Sequence, residues 1–116
     1  MGTPCGVHST TGGLLAGGVS NGYKDGPALQ AQFKSIASIA ENKTTGAIYI
    51  SDTSNNRIRR LLNGVVDTFA GSGGGGECKG GPAKSALIEH PRGIAFDSKK
   101  SKLYISACNS IWALDL

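Results

Sequence analysis

The residues best suited to chemistry lie in one short stretch. Asp52, Asn56, Arg57 and Arg59 bring a carboxylate, an amide and two guanidinium groups to the end of an apolar run, Ile48-Tyr49-Ile50-Ser51. Groups of this kind hold a polar or charged ligand through charge-assisted hydrogen bonds. Arg92, between Pro91 and Gly93, adds a cation farther along. These five are the candidate ligand-binding residues. The same side chains also suit a turn, where Asp and Asn accept backbone hydrogen bonds and tolerate left-handed backbone, and the turn role is the weightier reading. Lys34, Arg57, Arg59, Arg60 and Arg92 together could track phosphates. The aromatic residues that would stack bases, Tyr23, Tyr49, Tyr104 and Trp112, are scattered, so a solvated basic face is the better account.

Other chemistries find less support. Gly71-x-Gly73-x-x-Gly76 matches a dinucleotide-binding spacing, but a glycine tract matches almost any glycine pattern and no long helix is expected after it. Lys79 is followed by Gly80, not Ser or Thr, which rules out a phosphate-binding P-loop. His8 and His90 are the only histidines, too few and too far apart for a catalytic metal site, and no nucleophile, base and orienting partner can be assembled. No catalytic residue, metal site or cofactor is expected. Cys5, Cys78 and Cys108 form no C-x-x-C pair and are odd in number, which reads as reduced thiols.

The elements that must position these groups are set by glycines and by short β-branched runs. The chain has 116 residues, 18 of them glycine, with 39% hydrophobic and 17% charged content and a net charge of +4. That describes one globular domain with many tight turns, not a disordered tail. The N-terminus lacks the charged start and apolar core of a signal peptide, and no run approaches the roughly 20 apolar residues of a membrane span. A soluble protein follows, with the cytoplasm slightly favoured and no membrane partner.

An internal repeat organises the chain. Leu15-Ala16-Gly17 recurs as Phe69-Ala70-Gly71 at an offset of 54, and Gly26-Pro27-Ala28 recurs as Gly81-Pro82-Ala83 at an offset of 55. The register then holds: Ile39-Ala40 matches Ile94-Ala95, and Ile48-Tyr49-Ile50-Ser51 matches Leu103-Tyr104-Ile105-Ser106. Asn63-Gly64 between two apolar runs is a strong hairpin signal, because both residues accept the positive φ of a type I′ turn. Strands are expected near 36–41, 47–52, 57–62 and 64–70, then near 93–97, 102–107 and 110–115. Arg57 and Arg59 should share one strand face and Ile58 the other. Short helical turns are possible at 28–34 and 83–88, after Pro27 and Pro82. About four strands per repeat is the count of a propeller blade.

Asp52-Thr53-Ser54-Asn55-Asn56-Arg57-Ile58-Arg59, after its apolar strand, resembles the signature of NHL repeats, and His90-Pro91-Arg92-Gly93-Ile94-Ala95-Phe96-Asp97 is similar to the family's Pro-x-Gly-Ile-Ala-Val-Asp. The second copy departs from it, with Ala107 in the place of Asp52 and Trp112 in that of the second arginine. The first copy has Ser35-Ile36-Ala37-Ser38 where the second has Pro91-Arg92-Gly93. The resemblance covers roughly residues 14–116. It implies an all-β fold of propeller blades, each of four antiparallel strands: a strand at 7–16 completing a blade, a first blade at 36–70, and an incomplete second blade at 93–116. The 1–116 segment would then be two blades of a partial propeller, or one protomer of an oligomeric propeller such as a homotrimer with six blades.

NHL propellers serve as protein-binding, RNA-binding or sensor domains. The expectation is therefore a binding or scaffolding module without enzymatic activity, with a protein partner favoured. The alternatives are an RNA-binding propeller and a fragment of a propeller-type hydrolase, lyase or ectodomain. The expected core includes Ile39, Ile48, Ile50, Ile58, Val66, Ile94, Phe96, Leu103, Ile105 and Ile111.

Overall fold

The computed structural model describes residues 12–18 and 20–116. Among them every regular element is a strand or a single 3₁₀ turn. The strands are β1 (Gly26–Pro27), β2 (Ile36–Asn42), β3 (Ala47–Asp52), β4 (Arg57–Leu62), β5 (Val65–Ala70), β6 (Ile94–Asp97), β7 (Lys102–Ala107) and β8 (Ser110–Asp115). Two all-antiparallel sheets result, ordered β1-β5-β4-β3-β2 and β6-β7-β8. The first is a four-strand blade with a two-residue addition at its β5 edge, and the second is a three-strand blade. The proline-led segments form 3₁₀ turns at Ala28–Gln30 and Ala83–Ser85, shorter than expected. The strand expected at 7–16 falls partly on residues 1–11, which lie outside the described residues, and 12–16 carry no strand.

The period-2 pattern of each blade decides how the two blades meet. On β3, Ala47, Tyr49 and Ser51 face the second blade, while Ile50 joins Ala31, Leu61 and Val66 in a second cluster on the opposite face. From the second blade, Leu103, Ile105 and Ala107 pack onto Ala47, Tyr49, Ile58 and Ala70. Tyr49 lies edge-on to Phe69 and stacks on Phe96, with centroids 5.0 Å and 6.3 Å apart. Polar links seal this interface. Ser51 Oγ donates to the Arg92 carbonyl at 2.7 Å, Thr53 Oγ1 to the Pro91 carbonyl at 2.6 Å, and the His90 amide to Asn56 Oδ1 at 2.8 Å.

Two expected core residues are at the surface, and for one physical reason. Ile39 is 63% exposed and Ile111 73% exposed. Each points from a sheet face that carries no further blade among the described residues. Ile58 and Ile94, which their strands aim into the interface between the blades, are buried and half-buried.

Candidate functional site

Arg59 sits at the centre of the most polar part of the molecule, and it is fully buried. A buried guanidinium is tolerated only when its five donors are satisfied and its charge is matched. Both conditions hold. Nη1 donates to Asp52 Oδ2 at 2.7 Å and to the Gln32 carbonyl at 2.8 Å. Nη2 donates to the Lys24 carbonyl at 2.7 Å and to Asp25 Oδ1 at 2.8 Å, and Nε donates to Asp25 Oδ1 at 3.1 Å. Asp52, equally buried, accepts further bonds from Asn55 Nδ2 and from the Lys34 amide. Asn55 Nδ2 also reaches the Gly22 carbonyl at 2.8 Å. The result is a set of anchors that holds the connector at 20–34 against the first blade. Asp52 and Arg59, two of the five candidate ligand contacts, are therefore occupied with each other and with this connector.

The second repeat solves the same problem with different chemistry. Strand register equates Asp52 with Ala107 and Arg59 with Trp112, since Ile50 pairs with Arg59 as Ile105 pairs with Trp112. The repeat offset of 55 equates Asp25 with Gly80 and Tyr23 with Cys78. Both carboxylates and the guanidinium are thus lost together, which leaves no buried charge without a partner. Trp112 lies on the core, donating its indole N–H to the Ala107 carbonyl at 3.1 Å. In place of the ionic anchor, Cys78 in the connector is joined to Cys108 in the β7–β8 turn by a disulfide, with Cα atoms 6.1 Å apart. The expectation of reduced thiols is corrected on this point. An odd count forbids full pairing, but two cysteines distant in sequence can be brought together by the fold.

The other three candidates divide. Arg57 lies 3.8 Å over the Tyr23 ring and donates to the carbonyls of Asn55 and Ser72, so it is pinned against the glycine-rich loop. Gly73 holds a φ of 92°, which favours glycine, and a Cβ there would meet the end of the Arg57 side chain at 2.5 Å. Asn56 and Arg92 are brought to the same end of the blade pair. Asn56 holds the amide of His90, and His90, Glu89 and Arg92 line an open cleft of about 520 Å³ together with residues 106–111. His90 and Arg92 are exposed and Glu89 is half-buried.

The basic residues do not converge. Arg60 points to the face opposite Arg57 and Arg59 and forms an ion pair with Asp67 at 2.6 Å, a hydrogen-bonded contact that raises its pKa further. Among the described residues no three His, Cys, Asp or Glu side chains are grouped to hold a metal. No helix of the described residues is long and apolar enough to cross a membrane.

Asp25, Tyr23, Glu89 and the cysteine pair escaped the sequence reading. Asp25 had a usable signal, because its change to Gly80 accompanies the changes at Asp52 and Arg59 between the repeats.

No protein-family model matches the chain. Among curated proteins, the Arabidopsis thaliana protein SUPPRESSOR OF QUENCHING 1, chloroplastic, is 30% identical over 97 residues, 78% of this chain and 9% of that protein. Among solved structures, an auxiliary nutrient binding protein from Bacteroides ovatus aligns with a TM-score of 0.65 and 26% identity, covering 96% of this chain and 28% of that one. A candidate phosphatase from Bacteroides thetaiotaomicron aligns with a TM-score of 0.73 and 21% identity, covering 88% and 26%. The chain spans about a tenth of the curated relative and little more than a quarter of each structure. The likeness supports the all-β blade fold.

Proposed function

We propose that the chain is a non-enzymatic binding module built of NHL-type repeats, and that it engages a protein partner through the cleft lined by Glu89, His90 and Arg92. The observation that carries this reading is the division of the polar residues. Arg59 is buried in the fold and Arg57 is pinned against the glycine-rich loop, while Glu89, His90 and Arg92 stand at an open cleft beside the apolar Ile111. Charges of both signs next to apolar surface suit a folded or peptide partner better than a phosphate backbone, which calls for a run of cations. The Bacteroides ovatus neighbour, named as nutrient binding, is in keeping with a binding role. The Cys78–Cys108 disulfide favours an oxidising compartment over the cytoplasm.

The test is affinity capture from a lysate of the source organism with wild-type chain and with Arg92→Glu, each with and without nuclease. The expected result is a protein partner retained after nuclease and lost with Arg92→Glu. Retention of nucleic acid that nuclease abolishes would favour an RNA-binding propeller. Turnover of phosphate or ester substrates by the purified chain would favour the hydrolase alternative.

A further inference from the structure

The interface between the two blades is one step of a repeat, and the residues that would make the next step are exposed at both ends of the molecule. Inside the chain, the back of the first blade offers Tyr49, Ser51 and Ile58, and the second blade answers with the strand that follows Pro91. The repeat equivalents of the first set are Tyr104, Ser106 and Ile111, on the back of the second blade, where Ile111 is 73% exposed. These residues line an apolar groove of about 270 Å³ with Ala95 and Ile94. The equivalents of the answering set are Ile36 for Pro91 and Ile39 for Ile94. Pro91 is fully buried in the existing interface, whereas Ile36 is 50% and Ile39 63% exposed.

We infer that a second copy of this chain docks head to tail, the back of its second blade against the front of the first blade of its neighbour. This goes beyond the proposed binding role; Ser106 and Ile111 border both the cleft of that role and this docking face, and light scattering on the purified chain alone tests the docking separately from partner capture. The backbone supports the repetition. Ser35 and His90, which open the two equivalent segments, both hold the rare left-handed conformation, with φ of 59° and 46°. The front of the first blade is therefore presented as the front of the second blade is. The hydroxyl of Ser106 takes the place of the Ser51 hydroxyl, and the Ala37 carbonyl that of Arg92.

One difference introduces a charge. Phe96, which stacks on Tyr49 within the chain, has Glu41 as its equivalent. Glu41 would meet Tyr104 and come beside Lys102, which lies on the same face of β7 and is ion-paired with Asp115 of β8. A heterologous contact of this kind closes into a ring when its rotation allows, and closed propellers hold about four to eight blades. Three copies give six blades.

Light scattering on the purified chain reads the mass directly. The expected species is a closed oligomer, a multiple of the 11.9 kDa chain with three copies anticipated. Ile111→Asp blocks one face and Ile39→Asp the other. Each variant alone should run as a monomer, and an equimolar mixture should give a dimer and nothing larger, because one intact back and one intact front remain. Formation of that dimer also shows that both variants are folded. A wild-type monomer across the accessible concentration range, variants that keep the wild-type mass, or a mixture that stays monomeric would overturn the inference.

Discussion

Arg59 shows how little the type of a residue says about its role until its partners are known. The sequence places Arg59 two positions from Arg57 on one strand face, and the structure confirms the shared face, yet one guanidinium is buried and the other half-exposed. The difference comes from Asp52 and Asp25, which flank Arg59, and from Phe33, whose ring lies 4.8 Å from the Arg59 guanidinium, whereas Tyr23 covers both arginines. Removing Arg59 leaves the buried Asp52 carboxylate without its counterion, at a cost of about 3–5 kcal/mol, whereas removing Asp52 leaves Arg59 still paired with Asp25. Arg59→Trp should lose about that much in urea denaturation, and Asp52→Ala less. The double substitution installs the pair that the second repeat already uses, and it should cost clearly less than the two single losses added. Strict additivity would show that the two side chains do not act as a unit. Asp52 and Arg59 were legible as a polar cluster at a strand end. Their burial was not, because Asp25 and Tyr23 come from a glycine-rich connector whose path no local pattern fixes.

At the level of elements, alternation and turn chemistry located seven of the strands to within about two residues, since each strand half-buries one face against the other blade. Alternation could not say which faces lack a neighbour, and so Ile39 and Ile111 were assigned to the core. Two hairpins illustrate how turn chemistry is used. Asn63 and Gly64 have φ of 53° and 77°, the two left-handed residues of a type I′ turn. Cys108 and Asn109 have φ of 54° and 55° in the β7–β8 turn, so a cysteine occupies a position that favours glycine or asparagine. Its presence there follows from the disulfide, and the turn conformation opposes it by about 1–2 kcal/mol. With the disulfide absent, Cys78→Ser/Cys108→Gly should therefore be more stable than Cys78→Ser/Cys108→Ser by about 1 kcal/mol in thermal or urea unfolding. Equal stabilities would argue against a left-handed residue 108. The connector imposes a stricter demand at Gly71, with φ of 98°, where a Cβ would lie 2.6 Å from the Asn56 carbonyl oxygen. Gly71→Ala should cost about 1–3 kcal/mol through strained backbone alone, with the close contact adding to it, as a lowered urea midpoint would register.

For the molecule as a whole, each blade must hold down the connector that precedes it, and the two anchors respond to different conditions. The first blade uses the buried ion pair, which no reductant touches. The second uses a disulfide that closes 30 residues of sequence, in a turn where Cys108 is exposed. Loop-closure entropy for that length gives a stabilisation of about 3–4 kcal/mol, a large part of the total stability of a small domain. Breaking the bond should act locally first, because Cys78 lies in the connector and Cys108 at the tip of a hairpin, while Leu103 and Ile105 remain packed on the first blade. Hydrogen exchange with and without reductant reads this directly. Reduction should raise exchange in residues 71–92 and 107–111, leave the connector at 20–34 protected, and lower the urea midpoint. Cys78→Ser should reproduce the whole pattern without reductant. Exchange that rises equally in both connectors would mean that the blades open as one unit and that the disulfide does not act as a separate anchor.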